Sequence, residues 1–286
     1  MSFQDLTKRM TWAVISLLVL GLLLLFFSHL FMRWVITLFT AGLGALAMWE
    51  FMCLTPLIAG RRYRQCLIGM AAVVIIGFFI STIHPSYVCL PFLLFFLSFI
   101  AIFCCHFREI KGCIAVITQS FFGLIYIALP LGLILKILYF PNSSSNGQEG
   151  RYFLVYLLSI TKITDTGAYF GGRLFGGKKL AATISPGKTV VGGLTGFLLA
   201  VVLSLLFYAI NPFVSGVDFP FWSSLWLGAL MGIIGQVGDL AESLLKRDAN
   251  VKDSNSLPGL GGVLDMLDSL LFTTPIVYLF LCVSRS

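Results

Sequence analysis

Acidic residues are scarce in this chain: twelve Asp and Glu among 286 residues, with only 11% of positions charged at all. An ordinary soluble domain carries about 25% charged residues, so a water-exposed globule is excluded. In place of charge stand 58% hydrophobic residues, 27 Phe among them, and a mean hydropathy of +0.98. The long apolar runs lack apolar/polar alternation, which excludes a transmembrane barrel. Backbone in lipid must satisfy its own hydrogen bonds, so the runs read as helices. The seven cysteines form no Cys-x-x-Cys pair and no Cys/His cluster, which leaves packing as their role. His29, His84 and His106 lie near helix ends and far apart in sequence, so histidine-based catalysis is not expected. No internal repeat marks a transporter of duplicated halves. No nucleic-acid module is visible either, and the net charge of +7 reads as attraction to anionic lipid and phosphate.

The expected fold class is therefore all-α: a polytopic transmembrane helical protein of about nine spans, each needing roughly 20 apolar residues. They fall near 12–29, 34–54, 66–83, 87–105, 114–138, 152–170, 190–210, 221–238 and 264–283. No small-residue cleavage site follows the first run, which is expected to be retained. With a cytoplasmic N-terminus, the inner segments carry 14 of the 19 basic residues, as cytoplasmic connections should. The chain then divides into N-terminal helices, 1–140, and a C-terminal region, 141–286, whose polar segments 171–189 and 239–262 both face the cytoplasm.

Where acid does occur, it is concentrated. Asp239, Glu242, Asp248, Asp253, Asp265 and Asp268, half of the twelve, fall within 238–269. A helix over 232–247 places Asp239, Ser243 and Lys246 or Arg247 on one face, with Glu242 beside them. Such a wall suits a hard divalent cation such as Mg2+ together with phosphate oxygens. Lys246 and Arg247 also suit a helix end snorkelling at a membrane surface. Asp239 is harder to explain that way, because a carboxylate at the end of an apolar span is costly without a partner. The turn 257–262, rich in Gly, opens onto a helix start bearing Asp265, Asp268 and Ser269. A helix N-terminus attracts anions; two carboxylates there would repel a triphosphate unless a metal lay between, and they also serve as simple dipole partners.

Upstream, Lys162 and Asp165 either neutralise each other inside the membrane or mark a site. Ser185-Pro186-Gly187-Lys188-Thr189 reads as a flexible turn with hydroxyls and an ammonium suited to phosphate, without the spacing of a Walker A loop. Gly192, Gly193 and Gly196 read as packing positions between helices. Glu50, in the second run, fits either a structural ion pair or a substrate contact.

These residues resemble the CDP-diacylglycerol synthase, or phosphatidate cytidylyltransferase, family. Its signature, approximately S-x-x-K-R-x4-K-D-S followed by P-G-H-G-G-x-x-D-R-x-D-S, is matched by Ser243, Lys246, Arg247, Lys252, Asp253, Ser254, Pro258, Gly259, Gly261, Gly262, Asp265, Asp268 and Ser269. Asp165, Ala168-Tyr169-Phe170, Gly172-Arg173, Phe175-Gly176, Ile184-Ser185-Pro186 and Lys188-Thr189 look like its second motif. Leu260 stands where the family usually has His, Met266 where it has Arg, and Val191 where Glu is common; the stretch from Asp253 to Pro258 is one residue short.

The resemblance implies conversion of CTP and phosphatidate to CDP-diacylglycerol and pyrophosphate with Mg2+, and a second cation as a further expectation. It assigns Asp239, Asp265, Lys246 and Arg247 to catalysis, and Asp239, Asp265 and Asp268 to metal. Ser185, Lys188, Thr189, Ser243, Lys252, Asp253, Gly261 and Gly262 are assigned to substrate. The expected location is a bacterial inner membrane with the site facing the cytoplasm, and a homodimer is left open. The alternatives are a CTP-dependent kinase of an isoprenoid or phytol alcohol, and a cation- or proton-coupled transporter using Lys162, Asp165 and Asp239.

Overall fold

The apolar runs fold as helices wherever the computed structural model describes them, which is over residues 29–55, 60–107, 111–140, 148–214, 217–251 and 262–284. In chain order they are α1 (Leu30–Leu54), α2 (Arg61–Ile80), α3 (Leu90–His106), α4 (Cys113–Gly123), α5 (Leu129–Leu138), α6 (Gln148–Phe175), α7 (Val190–Ile210), α8 (Phe221–Asp248) and α9 (Val263–Ser284). A π-helical turn, Leu124–Ala128, joins α4 to α5 without a break. Pro130 lies at the start of α5. It cannot donate a ladder hydrogen bond, so the helical register slips there. Two short antiparallel strands, β1 (Lys179–Ala181) and β2 (Ser185–Thr189), lie between α6 and α7.

Among the described residues, seven helical segments are long and apolar enough to cross a membrane. Eight of the nine expected spans coincide with helices. The eighth of these, α6, has the length but carries Glu149, Arg151, Lys162, Asp165 and Arg173, and is not among the seven. The expected run 12–29 lies outside the described residues. The span expected over 221–238 and the helix expected over 232–247 form one helix that runs to Asp248. One local expectation changes. The expected turn 185–189 is instead an extended strand: Gly176 and Gly177, at φ 60° and 102°, end α6 in a conformation open to glycine, and the chain returns as a hairpin.

Side-chain size sets which helices approach closely. A Cβ on Gly196 of α7 would lie 2.6 Å from the Thr164 carbonyl oxygen of α6, and one on Gly192 2.5 Å from that of Ala168. Packing is thus the role of these two glycines, as expected. Gly193 turns elsewhere, toward the Gln236 amide. α9 runs through the middle of the protein, packed on α8, α5, α6 and α1. Met48, Phe51 and Met52 of α1 are essentially unexposed in the core, whereas Phe92 of α3 and Leu194 of α7 face outward, as lipid-facing residues do.

Candidate active site

The polar segments converge at one end of α6, α7, α8 and α9. A cleft of about 530 Å³ opens there, lined by Asp165, Tyr169, Arg173, Ser185, Lys188, Gln236 and Asp239, among others. A second cavity of similar volume, between α3 and α4, is lined by Phe99, Phe103, Phe121 and other mainly apolar residues and holds no carboxylate.

The hairpin brings Lys188 over α8, where its Nζ lies 2.7 Å from Asp239 Oδ2. Arg247, two turns further along α8, reaches the same hairpin: its Nε donates to the Ile184 carbonyl at 3.1 Å. Lys246 points the other way. Its ammonium bridges Glu242 Oε2 at 2.8 Å and Asp265 Oδ1 at 2.9 Å, joining α8 to α9. The single wall expected on α8 therefore splits into two, with Asp239 and Arg247 toward the hairpin and Lys246 toward α9. Helical periodicity assigns an angle around the axis, and one extra residue turns a side chain by about 100°.

α9 supplies a third carboxylate, Asp268, beside Asp165 and Asp239 of the cleft. Gly238 makes this possible, because a Cβ there would lie 2.8 Å from the Asp268 carbonyl oxygen. Asp165, Asp239 and Asp268 come within electrostatic range of one another, with Lys162 and Lys188 as the opposing charges. Asp268 is 7% exposed, and its Oδ1 accepts the Ser269 N–H. The Ser269 hydroxyl donates to Asp165 Oδ1 at 3.2 Å, and Lys162 Nζ donates to the Met266 carbonyl at 3.1 Å. The Lys162 and Asp165 pair thus ties α6 to α9 as well as balancing charge. Three like charges held together in a partly buried site are unfavourable unless a cation offsets them. Their donor chemistry is that of a hard divalent ion. Among the described residues, no three His, Cys, Asp or Glu side chains converge closely enough to hold a metal as they stand.

Ser185 and Thr189 both line the cleft. The Thr189 hydroxyl also accepts the Gly192 N–H at 3.0 Å and so caps α7. Ser243 is half-buried on α8 and is not among the cleft residues, while Gly262 is buried at the start of α9. Lys252, Asp253 and Gly261 lie outside the described residues, as does Leu260.

Sequence reasoning did not single out Gln236, whose Nε2 donates to the Gly193 carbonyl across the α7–α8 contact at the cleft wall and to the Gly232 carbonyl of its own helix. The available signal was an amide three residues before Asp239 in an apolar run. Tyr169 and Arg173 line the cleft too, with Arg173 Nη1 donating to the Tyr169 hydroxyl at 2.9 Å. Tyr126, on the π turn, also comes within electrostatic range of Glu242 and Asp268.

Comparison with known proteins places these residues in a wider group. A family model described as the cytidylyltransferase family matches residues 7–284. A phosphatidate cytidylyltransferase of Chlamydia muridarum is 40% identical over 169 residues, covering 58% of this chain and 55% of that one. Those of Chlamydia pneumoniae and Bacillus subtilis are each 41% identical, over 184 and 144 residues, covering 63% and 50% of this chain and 60% and 52% of theirs. The chain thus spans little more than half the length of the curated relatives it matches.

Proposed function

This chain belongs to the cytidylyltransferase family, and from that membership we propose that it is a membrane phosphatidate cytidylyltransferase, making CDP-diacylglycerol and pyrophosphate from CTP and phosphatidate. The observation that carries the reading is the cleft in which the hairpin's Lys188 meets Asp239, with Asp165 and Asp268 behind them. Its volume is in the range of small-molecule sites, it lies at the end of apolar helices where a lipid headgroup can reach, and its walls combine ammonium, guanidinium and carboxylate groups.

The reaction needs no protein nucleophile. A phosphatidate phosphate oxygen attacks the α-phosphorus of CTP, a P–O bond forms, and the bond to the β-phosphate breaks to release pyrophosphate. The protein's part is to hold two polyanions in line and to offset their charge. Lys188 and Arg173 in the cleft, with Lys246, Arg247 and Lys252, are the proposed phosphate contacts, and Ser185, Thr189 and Ser243 the proposed hydroxyl donors. Mg2+ is the proposed cofactor, with Asp239, Asp265 and Asp268 as its ligands and Asp165 as an added donor; bound there, it would neutralise phosphate charge. The active face is proposed to be the cytoplasmic side of a bacterial inner membrane, where CTP is available.

The test is purified protein in detergent with phosphatidate, Mg2+ and CTP labelled at the α-phosphate. Label is expected in the lipid product. Label that stays in CDP while lipid is phosphorylated would overturn the reading in favour of a lipid kinase.

A further inference from the structure

Glu50 lies near the C-terminal end of α1, in the half of the chain without motif residues, and is 1% exposed. Its Oε1 accepts the N–H of Val263 at 2.8 Å and its Oε2 that of Leu264 at 2.7 Å. These are the first two residues of α9, whose N–H groups have no acceptor within the helix. Asp265 follows in the same turn, and Asp268 in the next. The contact spans 213 positions of sequence, so only the tertiary fold creates it.

We propose that Glu50 is a positioning residue for nucleotidyl transfer. Its carboxylate clamps the first turn of α9 so that Asp265 meets Lys246 and Asp268 stands beside Asp239. The proposal rests on the cytidylyltransferase reading of that site. A carboxylate that accepts two N–H groups, one on each oxygen, restrains both the height and the rotation of the helix, where a single-oxygen cap restrains less. Its negative charge is favourably placed at a helix N-terminus. It also takes up two donors that would otherwise attract phosphate. Substrate phosphates are thereby directed to the cationic side chains of the cleft and away from the end of α9, which resolves the conflict between an anion-attracting helix end and the carboxylates just inside it.

Glu50→Gln keeps one acceptor oxygen but turns an amide N–H toward a backbone N–H, so the clamp opens on one side. Glu50→Asp keeps both oxygens and the charge on a shorter stem. Misplacing reacting groups by about 1 Å costs on the order of 100-fold in rate. E50Q is therefore expected to lower kcat by roughly 10- to 100-fold, to leave the KM for CTP within about threefold, and to raise the Mg2+ concentration needed for half activity. E50D should recover part of kcat. Met48→Ala, at a fully buried neighbouring position of α1, is the structural reference: it should lower the melting temperature with kcat per folded molecule near wild type. E50Q matching Met48→Ala in kcat, KM and Mg2+ requirement would overturn the proposal.

Amide hydrogen exchange of the wild-type protein over 262–266 tests the clamp even where a variant fails to fold. First-turn amides have no acceptor within the helix, so exchange at Val263 and Leu264 as slow as in the interior of α9 supports the clamp, and exchange as fast as in a free peptide sinks it. Wild-type protein that makes no CDP-diacylglycerol would sink the functional reading instead, leaving the exchange result to decide whether Glu50 holds α9.

Discussion

The two halves of this protein differ in how they carry function. Residues 148–284 hold the groups that line or adjoin the cleft: Asp165, Lys188, Gln236, Asp239 and Asp268. Residues 29–140 contribute apolar helices to the core, yet two of their polar side chains reach the same region, Glu50 at the start of α9 and Tyr126 near Glu242 and Asp268. The difference separates touching from holding. Groups that meet a polar substrate have to gather at an open surface and so leave a local pattern in sequence. Groups that hold the framework act one at a time from within an apolar helix, and in sequence they look like isolated anomalies.

Substitutions in the two halves are expected to cost different things: rate in one, stability in the other. Asp239→Asn or Asp268→Asn should lower kcat by about 1000-fold or more, equivalent to roughly 4 kcal/mol of transition-state stabilisation, with little loss of melting temperature. A core truncation in the other half, Met48→Ala, should cost about 2–5 kcal/mol of stability and little rate per folded molecule. Steady-state kinetics alongside thermal unfolding measures both. Near-wild-type turnover by both Asp variants would remove the division between the halves.

The next effect concerns the α8–α9 bridge. Lys246 is 14% exposed at its side chain, and Glu242 is almost fully buried. Lys246→Met removes the cation between Glu242 and Asp265; breaking a buried pair in this way costs up to about 3–5 kcal/mol, and less where Glu242 takes up a proton and shares it with Asp265. Glu242→Gln in the same chain removes one of the charges and should restore much of that loss. A double variant no more stable than Lys246→Met alone would show that Glu242 is not charged in the folded protein.

A smaller effect sets one glycine of each half against the other. Gly238→Ala places a methyl 2.8 Å from the Asp268 backbone oxygen, which must move, whereas Gly69→Ala in α2 meets nothing within 4 Å. The first should cost about 1–3 kcal/mol, as overpacking does, and lower activity by spreading Asp239 from Asp268. The second should be neutral or stabilising by up to about 1 kcal/mol from helix propensity. Equal behaviour of the two variants in denaturation and activity assays would mean that close approach at Gly238 does not set the site.

How much of this was legible depends on the range of the interaction. Apolar runs of helical length marked the seven span-like segments, because burial in lipid demands them locally; α6 was marked only over its less charged middle, and its charges keep it from being one of the seven. The hairpin was not legible: β1 has three residues, and Ser185-Pro186-Gly187 carries turn chemistry, so its pairing with β1 depends on where α6 ends. On α8, spacing placed Asp239, Lys246 and Arg247 near one another but could not say which neighbouring helix each faces. The pairing of Lys246 with Asp265 and of Glu50 with Val263 and Leu264 exists only once the helices are packed. Glu50 did stand out as a charge in an apolar run, read as an ion pair or a substrate contact, and that is the trace a distant partner leaves in its own segment.

Thr189 gives the smallest and most discriminating case, because two roles meet on one hydroxyl. It was expected to contact substrate; it lines the cleft and also caps α7 through the Gly192 N–H. Losing an N-cap costs typically about 1 kcal/mol, so Thr189→Ala should lower the melting temperature by a few degrees. Thr189→Asn separates the roles, since Asn is a good cap and lacks the hydroxyl. If capping is the whole of its contribution, Thr189→Asn keeps both stability and the KM for CTP within about twofold of wild type. If the hydroxyl also donates to a substrate phosphate, Thr189→Asn keeps stability while the KM for CTP rises by roughly three- to tenfold, the worth of about 0.5–1.5 kcal/mol for one hydrogen bond. Thr189→Ser keeps the hydroxyl, which is also the atom nearest Gly172, and should be near wild type under either role.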